Sequence, residues 1–163
     1  MFSKTAEYAI RATIFIAQKS DPDHKIGIDE ISKAIDSPAS FTAKILQMLT
    51  RGQELISSVR GPNGGFFMTA EARKLPLLRV LELVEEDGVL KKCVLGLKEC
   101  SEEKPCPLHH RYRKVKPELA RMFEEMQIGQ LAGELDTGAT FVGNRGRGAG
   151  KRAMPGGHKA TRS

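Results

Sequence analysis

"IDEISKAIDSPASFTAKILQMLTRGQELISSVRGPNGGFFMT", residues 28–69, decides the fold of this chain. Ile28, Ile31 and Ile35 recur at helical spacing and predict a short helix over about 28–35. "DSPAS" (36–40) interrupts it: Ser37 suits an N-cap and Pro38 a first helical position, where its missing N–H has no partner to lose. A second helix should run to about Arg51, with Phe41, Ile45, Met48 and Leu49 inward. Ser40, Ala43, Lys44, Gln47 and Arg51 then share the outer face. Two short helices joined by a tight turn are a helix-turn-helix. Residues 55–60 read as a strand, 66–68 as its partner, and "GPNGG" (61–65) as the turn between them. A hairpin directly after a helix-turn-helix is a wing. That pairing places one helix in the DNA major groove while the hairpin meets the neighbouring backbone or minor groove.

The exposed stripe suits this task. Gln47 can bond adenine bidentately, Lys44 can reach guanine and Ser40 is less selective, with Ala43 on the same face. Arg51 and Arg60 are placed for phosphates. Gly61, Pro62, Asn63, Gly64 and Gly65 form a turn whose backbone can approach DNA closely.

Outward from this stretch the chain is mostly helical. Ser3 can cap a helix over about 4–19 that turns Ala6, Ala9, Ile10, Thr13, Ile14 and Ala17 to one side. Pro76 should open an apolar helix that closes at Gly88. A further helix reads over about 117–126 through Leu119, Met122, Phe123 and Met126. It could begin as early as His109, with a kink at Pro117. "IGQLAGEL" (128–135) suggests one more short helical segment. From Gly138 the chain is rich in Gly and Arg and poor in apolar side chains, which predicts disorder over 138–163. The fold class is therefore mainly α with a small β-hairpin.

The net charge of +6 is unevenly placed. Six of the 26 basic residues lie in 144–163, which contain no acid, and the rest equal the 20 acids in number. The basic pI thus belongs to that stretch and not to the folded part. No apolar run approaches the roughly 20 residues a membrane span needs. The opening "MFSKTAEYAI" lacks a secretory pattern, so a cytoplasmic protein is expected.

All three cysteines fall in "KKCVLGLKECSEEKPCPLHHRYRK" (91–114), as C-x6-C-x5-C-x2-H: Cys93, Cys100, Cys106 and His109. A lone loop cysteine is usually a small buried hydrophobe, but three so close together followed by His make a four-ligand set. Thiolates with one His suit an iron–sulfur cluster or a Cys₃His zinc. No nucleophile is paired with an oriented base, so an enzyme is not expected. His110 and "RYRKVK" read as a solvated helix face.

Residues 1–135 resemble the Rrf2 family of bacterial transcription regulators. "SKTAEYAIRA", the helix-turn-helix, the wing "SSVRGPNGGF" and the triple-cysteine loop carry the resemblance. It implies a winged helix-turn-helix domain (1–70), a connecting helix (71–90), a cluster-binding loop (91–108) and a dimerisation helix region (109–137). It also implies a homodimer on a near-palindromic DNA operator, controlled by an iron–sulfur cluster on Cys93, Cys100 and Cys106. [2Fe–2S] is favoured and [4Fe–4S] stays open. The fourth ligand would be His109, or Glu7 from the partner subunit. The first cysteine gap is six residues where better-known members have five. Pro117 lies inside the expected dimer helix, and the Gly/Arg stretch has no family counterpart. The alternative is a cluster-free winged-helix regulator governed by thiol redox, zinc or a protein partner.

Overall fold

Ser3 opens the first helix as expected: its Oγ accepts from the Ala6 N–H at 3.1 Å, and α1 runs Lys4–Lys19. The structure is a computed structural model that describes residues 2–98 and 101–143. Helices α2 (Ile28–Ile35) and α3 (Ala39–Leu49) follow, then strands β1 (Ser57–Val59) and β2 (Gly65–Phe67). Helices α4 (Leu78–Leu83), α5 (His109–Glu125) and α6 (Ile128–Asp136) complete the order. The fold is mainly α with one two-stranded antiparallel sheet.

α1 lies at the centre. Ala6, Ala9, Ala12, Ile16 and Ala17 are fully buried, and α2, α3, α4, α6 and β2 all pack against this helix. Ile31, Ile35, Ile45, Leu46, Leu49, Leu55 and Ile56 close the core beneath the helix-turn-helix. Each such aliphatic contributes on the order of 1.5–3 kcal/mol by leaving water. Ser20 ties the end of α1 to the wing. Its Oγ donates to the Ile16 carbonyl at 2.6 Å and accepts the Met68 N–H at 3.1 Å.

The hairpin pairs Ser57 with Phe67, Ser58 with Phe66 and Val59 with Gly65. Phe66 also exchanges backbone hydrogen bonds with Ile26, at 2.8 and 3.0 Å, so the wing is fastened to the loop before α2. Two turn glycines have internal causes. A Cβ on Gly64 would overlap the Val59 carbonyl, and Gly65 sits at φ +150° with the Ile26 carbonyl 2.8 Å from where a Cβ would stand. Those two are needed by the path of the chain itself.

Several boundaries differ from the sequence expectation. α3 begins at Ala39: Pro38 is extended (ψ 138°), its carbonyl receives the Phe41 and Thr42 N–H groups, and Ser37 caps nothing. α3 ends at Leu49 because the Thr50 hydroxyl bonds the Leu46 carbonyl and Gly52 turns left-handed (φ +73°). The buried side of α3 includes Thr42 and Leu46, while Phe41 and Met48 are half-buried. β1 is shorter than 55–60 because Leu55 and Ile56 enter the core first. β2 ends at Phe67 because Met68 gives its N–H to Ser20. The helix from Pro76 stops at Leu83, as Glu85 takes a left-handed φ of +59°; a 3₁₀ turn, Asp87–Leu90, follows.

α5 is continuous from His109 and carries Pro117 within it. Its expected apolar stripe divides: Phe123 is buried against the Phe2 ring (centroids 5.4 Å apart), whereas Met122 is exposed. The α5–α6 junction is strapped to the body by Leu77 N–H to the Met126 carbonyl (2.9 Å) and Ile128 N–H to the Leu75 carbonyl (3.1 Å). Of the stretch 138–163, residues 138–143 are described and lie against α1 and α2, where the Arg11 side chain donates to the Val142 carbonyl. Residues 144–163 lie outside the described residues.

Gly64→Ala should open the hairpin and lower the denaturation midpoint. Gly133→Ala, in α6 with open space around it, should raise stability by about 0.5–1 kcal/mol. Chemical denaturation of the two variants checks the pair.

Candidate nucleic-acid interface and cysteine site

α3 shows solvent the residues expected of a reading helix. Ser40, Ala43, Lys44 and Gln47 are exposed, and Ile45, Leu46 and Leu49 hold the opposite side in the core. Residues 37–53 contain no acid, so α3 itself carries no carboxylate to repel a phosphodiester backbone. The Tyr8 ring on α1 meets Phe41 edge-on at 5.7 Å and fixes the roll of α3 about its axis. Beyond the helix, Arg51 is exposed but pairs with Glu85 at 3.3 Å. That exposed pair is worth about 0.2–1 kcal/mol, small against a phosphate contact. On the wing, Arg60, Gly61, Pro62 and Asn63 are exposed, with Gly64 and Gly65 half-buried behind them. Gly61 is left-handed (φ +106°) with open space around it, and its carbonyl accepts the Gly64 N–H at 2.9 Å. The tip of the wing is therefore a tight, side-chain-poor turn facing solvent.

The cysteine loop starts from the 3₁₀ turn and ends at α5. Cys93 is buried and Cys106 half-buried, and their Sγ atoms are 3.8 Å apart. Two sulfurs on one tetrahedral centre with metal–sulfur bonds of about 2.3 Å would stand about 3.8 Å apart. The pair thus has the spacing of two thiolates on one metal atom. His109, buried at the first position of α5, donates its backbone N–H to the Cys106 carbonyl at 2.9 Å. Among the described residues no set of three or more ligating side chains comes together, so His109 is not gathered with the two sulfurs. Cys100 lies outside the described residues.

Glu7, in the first turn of α1, holds Lys4 at 2.6 Å, and that hydrogen bond keeps its carboxyl below the usual range. Among the described residues it does not join Cys93 and Cys106 in one ligand set. The same end of α1 reaches the base of the loop differently. The Ser3 hydroxyl donates to Glu86 at 2.6 Å, next to the 3₁₀ turn that leads to Cys93.

Cations that the sequence reading left as a solvated face crowd this region. Lys116 of α5 donates to the Lys91 carbonyl, and Arg113 pairs with Glu102 within the loop. With His109 and Tyr112 they line one cleft, while His110 is exposed as expected. The i, i+3, i+4, i+7 positions of His109, Tyr112, Arg113 and Lys116 on one helix were the available signal.

The Rrf2 family, described as iron-dependent transcriptional regulators, matches residues 2–134. The chain belongs to the Rrf2 family. It is accordingly a DNA-binding transcription regulator and not an enzyme. The transcriptional regulator NsrR of Oceanobacillus iheyensis is 29% identical over 129 residues, covering 78% of this chain and 86% of that protein. IscR of Vibrio atlanticus is 27% identical over 124 residues, covering 76% and 70%. Among solved structures, CymR, the global cysteine regulator of B. subtilis, superposes with a TM-score of 0.64. Its sequence identity is 15%, over 82% of this chain and 97% of that one. That likeness establishes the winged-helix fold of these regulators. No described helix is long and apolar enough to cross a membrane.

In metal-free reduced protein, Cys106 should alkylate well before Cys93, because burial shields the latter. Peptide mapping after a short iodoacetamide pulse checks the order.

Proposed function

We propose that this protein binds an operator as a homodimer through α3 and the wing, and that an iron–sulfur cluster on the cysteine loop controls that binding. The observation that carries the reading is the 3.8 Å separation of Cys93 and Cys106 Sγ, on a loop joined directly to α5. Cys93, Cys100 and Cys106 would hold the cluster, with His109 or the partner's Glu7 as the fourth ligand. [2Fe–2S] is favoured over [4Fe–4S] because His can replace Cys at an iron of the smaller cluster. When bound, the group supplies one-electron redox chemistry and sensitivity to oxidants, iron supply or nitric oxide. Lys116 brings a cation to the start of the loop by donating to the Lys91 carbonyl, while Lys91 and Arg113 are paired with Asp87 and Glu102.

The dimer reading rests on α5. Leu108, Tyr112, Val115, Leu119, Met122 and Met126 alternate at spacings of four and three residues, the period of a coiled-coil seam. Leu108, Val115 and Met122 are 40%, 58% and 48% exposed, while Tyr112, Leu119 and Met126 are half-buried, so one edge of the seam faces outward among the described residues. A second α5 of the same sequence presents the same stripe. A twofold dimer would place two α3 helices on half-sites about 10 bp or a multiple of that apart. Because the loop feeds directly into α5, a change in the loop would shift the two DNA-reading domains as rigid bodies. The fold and the absence of a transmembrane helix among the described residues accord with a cytoplasmic setting.

A second reading, thiol control without a cluster, is favoured by the same pair. Sulfurs 3.8 Å apart need only a small approach to form a disulfide. A peroxide would take the electron pair, two thiols and one H₂O₂ giving the disulfide and two waters.

The test uses operators selected from a pool of randomised duplexes. Lys44→Ala should weaken binding by about 1–3 kcal/mol and relax the sequence preference. Arg60→Glu should weaken binding while leaving the fold intact, and an unchanged affinity would sink the DNA reading. The wild-type affinity should move at least tenfold (roughly 1.4 kcal/mol) between anaerobically prepared and oxidised protein. A Cys93/Cys100/Cys106→Ala variant should show one affinity throughout. Wild type and variant responding alike would remove cluster and thiol control together.

A further inference from the structure

Arg11 on α1 makes contacts in three directions. Its guanidinium donates through Nη2 to the Ile35 carbonyl at the end of α2, and through Nε to the Val142 carbonyl beyond α6. It also lies over the Tyr8 ring, 5.1 Å from the centroid, and Tyr8 in turn meets Phe41 of α3 edge-on at 5.7 Å. One side chain therefore reaches both helices of the helix-turn-helix, α2 directly and α3 through a single ring.

The end of α2 has a use for such a donor, because the last carbonyls of a helix find none within it. Asp36, left-handed at φ +54°, returns its N–H to the Lys33 carbonyl, and the Ser37 N–H reaches the Ser32 carbonyl at 3.0 Å. The Ile35 carbonyl takes the guanidinium instead. A cation at a helix C-terminus also complements the helix dipole. Only Asp36, Ser37 and Pro38 lie between this carbonyl and α3. The Pro38 carbonyl then accepts the Phe41 and Thr42 N–H groups, at 3.0 and 2.9 Å, and starts the reading helix. Fixing the end of α2 thus fixes where α3 begins, and with it the outward residues Ser40 and Lys44.

Residues 138–143 hold the guanidinium from its other side. They turn back from α6, and Phe141 and Val142 line a cleft with Phe15, Ala34 and Leu135. Gly143 packs so closely on α2 that a Cβ would stand 2.6 Å from the Ala34 carbonyl. A guanidinium presents its donors in a rigid planar fork, so the Nε bond to Val142 sets the plane in which Nη2 meets Ile35. The family match ends at residue 134, before this clasp begins.

We propose that Arg11 is a positioning residue for operator recognition, held in place by the 138–143 clasp. It acts through the Ile35 carbonyl and the Tyr8–Phe41 contact, which together set the start and the roll of α3. The inference rests on the reading of α3 as the DNA-reading helix.

The experiment compares full-length wild type with Arg11→Gln, Arg11→Lys and Gly143→Val. Gly143→Val displaces the clasp while leaving every cation of the chain in place. Fluorescence anisotropy measures affinity for a selected operator and for a mixed-sequence duplex of equal length. Each variant should bind the operator about tenfold more weakly, the scale of one mismatched base pair. Affinity for the mixed-sequence duplex should stay within about twofold, because that binding is carried by phosphate contacts. A merely structural defect would lower both affinities together through a smaller folded fraction. Amide exchange should quicken at Ser37, Phe41 and Thr42 and stay unchanged at Val84 in α4, whose N–H bonds the Val80 carbonyl at 3.2 Å. Should Arg11→Gln fail to fold, Gly143→Val carries the test alone. Wild-type operator affinity in Gly143→Val, or equal losses on both duplexes, would overturn the inference. So would wild-type behaviour of Arg11→Lys, since charge without the fork would then suffice. If wild type itself does not distinguish any operator from the mixed-sequence duplex, the reading of α3 falls first and the inference with it.

Discussion

Close packing around α1 is the constraint on which the rest of the structure depends. Its buried positions include Ala6, Ala9, Ala12 and Ala17, side chains that let other elements approach its backbone. α2, α3, α4, α6 and the second wing strand all use that access. A larger side chain at any of these positions would displace an element, and overpacking of this kind commonly destabilises by about 1–3 kcal/mol. The consequence for function is positional. α3 turns Lys44 and Gln47 outward because Ile45, Leu46 and Leu49 are seated below it, and the edge-on contact of Phe41 with Tyr8 fixes its roll. The wing is set by the same centre, through Ser20 at the end of α1 and the Ile26–Phe66 pairing beside it.

The same helix connects the two halves of the proposed switch. At its N-terminus Ser3 bonds Glu86 at the base of the cysteine loop, and the Phe2 ring packs at a tilt against Phe123 of α5. Under the proposed reading, a rearrangement of the loop is therefore felt both by α5 and by the body that carries α3. The leverage is mechanical: a short loop, anchored at the 3₁₀ turn on one side and at the first turn of α5 on the other.

Periodic features were the legible ones. α1 and α2 have the bounds that their apolar spacing and the Ser3 cap predicted, and the two-helix-plus-hairpin order was readable from 28–69. The outward stripe on α3 was correct because a helix with one apolar face leaves the other to solvent. Local competition hid the rest. Pro38 suits a first helical position by its ring, yet its extended backbone makes it a cap. The Thr50 hydroxyl ends α3 by bonding back to Leu46. The apolar run after Pro76 shows no break, because nothing local marks Glu85 as left-handed. Met122 and Phe123 look equivalent in a list of apolar positions, and only the neighbouring Phe2 decides which is buried. Long-range contacts such as Arg11 to Val142 leave no trace in spacing. The cysteine cluster was legible as a group of candidate ligands. Which of its members stand together was not, since loop geometry has no period.

The central claim is that the loop holds an iron–sulfur cluster. Its most direct test is a visible absorption spectrum of protein purified without oxygen, with iron and acid-labile sulfide assayed on the same sample. The account predicts charge-transfer bands with iron and sulfide in equal amounts, all lost in a Cys93→Ala/Cys106→Ala variant. A colourless protein that stays colourless after anaerobic reconstitution with iron and sulfide would contradict it.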